Sequence, residues 1–345
     1  MARPLDSSSP SAARPVTRAD DASAVYTQVT RLIADELRAV EACFADELTT
    51  DVPAVQALLR YVSRFRGKML RPTLLLLTGK SVGKLTQEHV VLATVVEMVH
   101  MATLVHDDVL DEAELRRKGA TINHLKGNEA AVMLGDLLIS HAFHLCSSLD
   151  SQAASRLIGR TTNEVCEGEL MQIDQRNNLA LTEADYLRII SKKTAALVAT
   201  SCRLGAVHAG ATPEQADAME RFGRCIGTAF QIQDDVLDLI GDVREVGKTL
   251  GIDVEKGKLT LPLIHFLRAA PREHRELLKS LLLSQEPDKV EKIRNLILPS
   301  GSIEYARQRA ESLVQEARAC LGVLASSEAR DALDACARFV VERAV

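Results

Sequence analysis

Between Pro72 and Pro213 the chain runs for 140 residues without a proline. A proline in a helix interior costs about 3 kcal/mol, because it removes a hydrogen bond and clashes with the preceding turn, whereas turns accept it readily. The sequence holds ten prolines, three of them (Pro4, Pro10, Pro15) within the first fifteen residues. Their exclusion from so long an interval points to helix following helix. Aromatic content agrees: seven Phe, four Tyr and no Trp among 345 residues are too few for a sheet core that leans on such side chains. The expected fold class is all-α.

Apolar periodicity predicts helices over 25–48, 55–63, 70–79, 87–111, 129–149, 152–172, 183–208, 213–240 and 261–269, then shorter C-terminal helices up to about Val341. Thr182, with Glu183 and Asp185 behind it, has the character of a helix start, as does Thr212 with Pro213 at the first helical position. No linker interrupts the series, so residues 25–345 are expected to form one domain. Residues 1–24 are rich in Ser, Ala, Pro and Arg and lack apolar periodicity, which predicts a disordered tail. A targeting segment is the competing reading, and the balance of Asp6, Asp20 and Asp21 against Arg3, Arg14 and Arg18 weighs against it.

The formal net charge of −5 supplies no basic surplus for a phosphate backbone, so no nucleic-acid partner is expected. Seven cysteines are spread without any Cys-x-x-Cys pair, which argues against a disulfide framework or a zinc site and for a reducing, cytoplasmic setting. The longest apolar stretch, from His89 to His106, is interrupted by Glu97 and His100, so no transmembrane segment is expected.

One pentapeptide occurs twice. DDVLD spans Asp107 to Asp111 and again Asp234 to Asp238. At about 100° per helical residue, Asp107 and Asp111 share a face, as do Asp234 and Asp238, while Asp108 is rotated away. Asp235 falls near the second face, four residues after Gln231. Facing carboxylate pairs repel unless a cation lies between them, and oxygen-only ligation suits Mg²⁺, which completes its shell with waters and substrate phosphates. A solvated acidic helix edge is the bland alternative for one copy; an identical second copy in apolar surroundings favours a metal site. Cations lie close in sequence: Arg116 and Arg117 after the first motif, Lys248 and Lys258 in glycine-bearing segments after the second, Lys68 and Arg71 in RGKMLRP, and Lys192, Lys193 and Thr194 together. His100 lies seven residues before Asp107, on the same helical face.

In order along the chain, RGKMLRP, HMATLVHDDVLDEAELRR, GNEAAVMLGD, EGELMQ, SKKTAAL, GTAFQIQDDVLD, VGKTLG and KGKLTLPLI resemble the trans-isoprenyl diphosphate synthases. The resemblance covers about residues 25–345. It implies a barrel of antiparallel helices around a deep cavity, a homodimer, and head-to-tail condensation of isopentenyl diphosphate with an allylic diphosphate. Carried over residue by residue, Asp107 and Asp111 resemble ligands of two Mg²⁺ ions and Asp234 a ligand of a third, with Asp108, Asp235 and Asp238 in support. Arg116, Lys193, Thr194, Gln231 and Lys248, with Lys258 nearby, resemble the set that holds the allylic diphosphate. Lys68, Arg71, His100 and Arg117 resemble the isopentenyl diphosphate pocket. In such enzymes the departing diphosphate leaves an allylic cation and no protein nucleophile is needed. One departure is visible: Lys118 intervenes where the family commonly places Gly directly after the two arginines.

Product length follows from the same resemblance. A bulky aromatic four or five residues before the first aspartate stops elongation in short-chain members; here those positions are Thr103 and Ala102, both small. A polyprenyl product longer than geranylgeranyl, such as a quinone side-chain precursor, is therefore expected, with a geranylgeranyl or farnesyl diphosphate synthase as the alternative. A terpene cyclase of the same helical fold would carry a different second metal motif and an aromatic-lined pocket. A non-catalytic partner subunit would typically have lost one aspartate motif.

Overall fold

The computed structural model describes residue 27 and residues 29–65, 67–116, 119–241 and 251–342. The expected tail, Arg117 and Lys248 lie outside the described residues. Sixteen α-helices follow one another among them: α1 (Ala34–Glu47), α2 (Pro53–Val62), α3 (Leu70–Val82), α4 (Gln87–Leu110), α5 (Ile122–Lys126), α6 (Asn128–Ser147), α7 (Gln152–Asp174), α8 (Glu183–Ile190), α9 (Ala196–His208), α10 (Pro213–Ile240), α11 (Ile252–Glu255), α12 (Leu261–Ala269), α13 (Arg272–Leu283), α14 (Lys289–Ile297), α15 (Ser302–Cys320) and α16 (Glu328–Glu342). The fold is all-α. A two-residue antiparallel ribbon, Leu115–Arg116 with Gly119–Ala120, is the sole sheet among the described residues.

Local chemistry sets the helix starts. The Thr182 hydroxyl accepts from the Asp185 N–H at the head of α8. Thr212 accepts from the Gln215 N–H while the Gln215 side chain accepts from the Thr212 N–H, with Pro213 at the first helical position of α10. Thr86 and His89 form the same reciprocal cap on α4.

Two long helices carry the fold's centre. Helix α4 is buried from His89 to Val99 and packs against α1, α3, α6 and α9. Helix α10 is wedged between α9 and α15. By length and composition alone, α4 and α6 are long and apolar enough to cross a membrane, a test that the buried core helix of a globular protein also passes. Most of the apolar window of α4 is buried against protein; less than half of that of α6 is.

Two expectations need revision. The single helix foreseen over 183–208 is interrupted between α8 and α9 by a π-helical turn, Ser191–Ala195. The C-terminal helices are also not uniformly short, since α15 runs for 19 residues. Its buried face is built largely from Ala306, Ala310 and Ala317 with Leu313 and Val314, and alanine gives little hydropathic contrast for periodicity to register.

Candidate active site

The first DDVLD lies at the end of α4, where Asp111 caps the helix and its N–H donates to the Asp107 carbonyl at 2.8 Å. Asp108 is buried, 6% exposed, and turns away from the other two as its helical position requires. Arg116 reaches back over it, donating from Nε to Oδ1 at 2.9 Å and to Oδ2 at 3.0 Å, with Nη2 at 2.8 Å from Oδ1. Such forked guanidinium–carboxylate geometry is stronger and more directional than a lysine contact. Arg116, expected at the allylic diphosphate, is thus held by Asp108 here. Burial pushes the Asp108 carboxyl up while Arg116 opposes the shift.

Across the cavity the second copy sits on α10. Asp234 is exposed and Asp235 buried. Neutral donors hold Asp235: the Tyr186 hydroxyl from α8 at 2.6 Å and the Gln231 amide, one turn earlier, at 2.7 Å. Gln231 in turn accepts from the Thr194 hydroxyl at 2.8 Å. Burial, followed by the Asp253 charge, drives the Asp235 carboxyl well above its usual range. Asp238 rises to about 7 for the same two reasons, and accepts from the Asp253 N–H at 3.2 Å.

Lys258 joins the two motifs. Its ammonium lies 3.0 Å from Asp111 Oδ1 and 3.8 Å from Asp253 Oδ1. Gly251, at φ +76°, turns the chain into α11 in a conformation that suits glycine, and its N–H donates to the Asp238 carbonyl at 2.9 Å. Asp253 is thereby fixed beside the second motif.

Lys193 and Thr194 come from the π turn. Gly168 of α7 lies against it so closely that a Cβ there would fall 2.4 Å from the Lys193 backbone nitrogen; no larger residue fits. Lys193 donates to Gln172 Oε1 at 2.8 Å, pairs with Glu169 and lies 3.8 Å from Asp107 Oδ1. Burial works against its charge, but Asp107 and Glu169 outweigh it and raise its pKa. Asp107 itself is raised to about 6, by burial first, with Glu169 and Asp111 adding to the rise and Lys193 opposing it. Lys192 instead faces out to Glu167.

The cavity between these groups is lined by Gln172, Lys193, Thr194, Gln231, Asp235, Asp253 and Lys258, with Leu181, Tyr186, Ile189, Ile190 and Leu259 as its apolar wall. Of the expected set, the structure gathers Asp107, Asp108, Asp111, Arg116, Lys193, Thr194, Gln231, Asp234, Asp235, Asp238 and Lys258. Lys68 is exposed just before α3, and Arg71, in its first turn, is half-buried with an Nε that has no partner among the described residues. The Arg71 guanidinium feels the buried Glu97 of α4, which opposes the downward push of burial on its pKa. His100 is half-buried in the middle of α4. Ala102 is fully buried and Thr103 half-buried, with its hydroxyl donating to the His100 carbonyl at 2.8 Å.

Sequence reasoning overlooked Asp253, Glu169, Gln172, Tyr186 and Arg176. Glu169 and Gln172 stand inside EGELMQ, and Asp253 between two glycine-bearing segments, so their positions beside recognised motifs were the available signal. Among the described residues no three His, Cys, Asp or Glu side chains already surround one point; Lys258 and Lys193 lie between the acids. The donor set still suits a hard cation, because it is carboxylate oxygen throughout and burial disfavours the charges on Asp107 and Asp238 unless positive charge compensates them.

The polyprenyl synthetase family model matches residues 52–298, a stretch that contains both DDVLD motifs and every cation described above. The chain belongs to the polyprenyl synthetase family. Octaprenyl diphosphate synthase of Escherichia coli is 35% identical over 317 residues, covering 92% of this chain and 98% of that protein. A short chain isoprenyl diphosphate synthase of Methanothermobacter thermautotrophicus is 37% identical over 281 residues, covering 80% and 86%. The crystal structure of a decaprenyl diphosphate synthase from Rhodobacter capsulatus superimposes with a TM-score of 0.87 at 34% identity, covering 92% of this chain and 99% of that one. Within the family, the helical architecture expected from proline placement is the shared fold.

Proposed function

We propose that the protein is a prenyltransferase that condenses isopentenyl diphosphate with an allylic diphosphate, head to tail, to give an all-trans polyprenyl diphosphate longer than geranylgeranyl. The observation that carries this reading is the pair of aspartate motifs bridged through Lys258 and Asp253 over a cavity that also receives Lys193, Thr194 and Gln231. Asp107, Asp111 and Asp234 would hold magnesium, three ions with diphosphate bound, supported by Asp108, Asp235 and Asp238. When bound, these cations neutralise charge on the leaving diphosphate.

The residues of the chain divide the remaining work. Lys193, Lys258 and Arg116, with Thr194, Gln231 and Lys248, orient the allylic diphosphate so that its carbon–oxygen bond breaks with the electron pair leaving on oxygen. Lys68, Arg71, His100 and Arg117 hold the second diphosphate apart, since isopentenyl diphosphate must keep its own carbon–oxygen bond. Its double bond then attacks the allylic carbon, and the released diphosphate takes the proton lost from the adjacent carbon. Apolar walls at Ile189, Ile190 and Leu259 keep water from the cation.

Two observations support a long product. The octaprenyl and decaprenyl synthases are matched over more than nine-tenths of this chain, and the positions just before Asp107 are the small Ala102 and Thr103. The assay is direct: purified protein, Mg²⁺, labelled isopentenyl diphosphate, and farnesyl or geranylgeranyl diphosphate as primer, with products sized. Chains beyond twenty carbons are expected; no elongation from any primer would sink the proposal.

A second copy of the chain is the expected partner. Helix α6 leaves Val132, Met133 and Phe143 on its outer side, Met133 64% exposed, and apolar surface on a long helix is the kind of face that a symmetric dimer covers. Sedimentation should give twice the chain mass, and Met133→Asp should shift it toward the monomer.

A further inference from the structure

We propose that Arg176 is a further diphosphate-binding residue of this site, an addition to the lysine and arginine set that the sequence motifs mark; the inference rests on the function proposed above. Arg176 lies in the turn after α7, within QRNN, a stretch that no motif covers. Its guanidinium Nη2 lies 4.0 Å from Asp111 Oδ1. Asp111 already has a closer partner in Lys258, at 3.0 Å, so Arg176 is not required to neutralise it.

The guanidinium is also partly open to solvent. Arg176 Nε is buried and makes no hydrogen bond among the described residues, while the side chain as a whole is 30% exposed. A planar fork, partly open to solvent and standing next to an acid that a lysine already satisfies, matches an anion with several acceptor oxygens.

Its placement is built rather than incidental. Asn177, at φ +59°, donates its N–H to the Gly257 carbonyl at 2.8 Å. Gly257 packs so tightly against the Asn177 side chain that a Cβ there would fall 2.2 Å from its Oδ1. The turn that carries Arg176 is thus clasped to the loop that carries Lys258, and the two cations reach Asp111 from one locked unit. An anion drawn to Lys258 at this end of α4 meets Arg176 as well. The allylic diphosphate is that anion, because Asp111 and Lys258 belong to its proposed pocket.

The test compares full-length wild type with Arg176→Gln and Arg176→Lys. Binding of inorganic pyrophosphate in the presence of Mg²⁺ is measured by calorimetry, and KM is measured separately for farnesyl diphosphate and isopentenyl diphosphate. Arg176→Gln is expected to weaken pyrophosphate binding and raise the KM for the allylic substrate, each on the order of tenfold. The KM for isopentenyl diphosphate and the melting temperature should stay at wild-type values, and Arg176→Lys should recover part of the loss. Unchanged pyrophosphate affinity in Arg176→Gln would overturn the assignment. So would a lowered melting temperature with both KM values rising together, which would make Arg176 a support of the clasp alone. If wild type itself binds no pyrophosphate with Mg²⁺, the proposed function fails first, and this inference with it.

Discussion

Asp108 and Asp235 hold equivalent places in two identical pentapeptides and are buried alike, at 6% exposure each, yet the protein satisfies them by opposite means. Asp108 is gripped by the Arg116 guanidinium. Among the described residues, Asp235 receives neutral donors alone, the Tyr186 hydroxyl and the Gln231 amide. The surroundings explain the difference. The first motif ends a helix and is followed at once by a ribbon that returns Arg116 over it, whereas the second lies within α10, packed against α8, α9 and α15, and meets side chains already fixed in those helices. One motif is electrostatically compensated from within its own loop, and the other is oriented by a relay that begins at Thr194.

The comparison can be strained at several points. The largest effect is expected from Asp107→Ala and Asp234→Ala, each lowering turnover by about 10³-fold or more if both motifs hold metal, with helical content by circular dichroism unchanged. Retained activity in either variant would remove that motif from the chemistry. Removal of Mg²⁺ by a chelator should produce the same loss, reversed on adding the ion back.

A smaller effect should separate Asp108 from Asp235 in stability. Asp108→Asn leaves Arg116 without its counter-charge in a largely buried place, and should cost about 2–3 kcal/mol in denaturant unfolding. Asp235→Asn should cost less than about 1 kcal/mol, because Gln231 can turn its amide over, accept from the new amide and donate to Thr194. Equal losses would mean that the two acids are held in the same way after all. Tyr186→Phe should cost about 1 kcal/mol and raise the Mg²⁺ concentration needed for half-maximal turnover. Ala102→Tyr is expected to leave the rate of the first condensation nearly unchanged while shortening the main product; an unchanged size distribution would place the floor of the cavity elsewhere.

Much of this site was legible in the sequence because its signals are local. Period-3.6 patterning gave the helices, and the four-residue spacing put Gln231 and Asp235 on one face, where the structure shows them hydrogen-bonded. What stayed hidden depends on contacts between distant parts of the chain. Tyr186 meets Asp235 across 49 positions and Lys258 meets Asp111 across 147, distances over which spacing says nothing about which side chain is reached. Asp253 carries no motif of its own and matters only because Gly251 turns it toward Asp238. Expecting Arg116 at a substrate phosphate gave no sign of its fork onto Asp108, which the ribbon geometry sets.

The π turn at Ser191–Ala195 has a consequence for how this segment can change. An i to i+5 turn accommodates an extra residue relative to ordinary helix, and about 100° of rotation separates neighbouring positions. Deleting one residue there would let the helix run straight through but would swing either Lys193 and Thr194 or the whole buried face of α9 out of register. Substitutions in SKKTA alter one side chain at a time, whereas insertions and deletions re-aim every side chain beyond the change. The length of this stretch is therefore itself a functional property, and any homologue or designed variant that keeps the lysine and threonine but alters their count from α8 should be inactive.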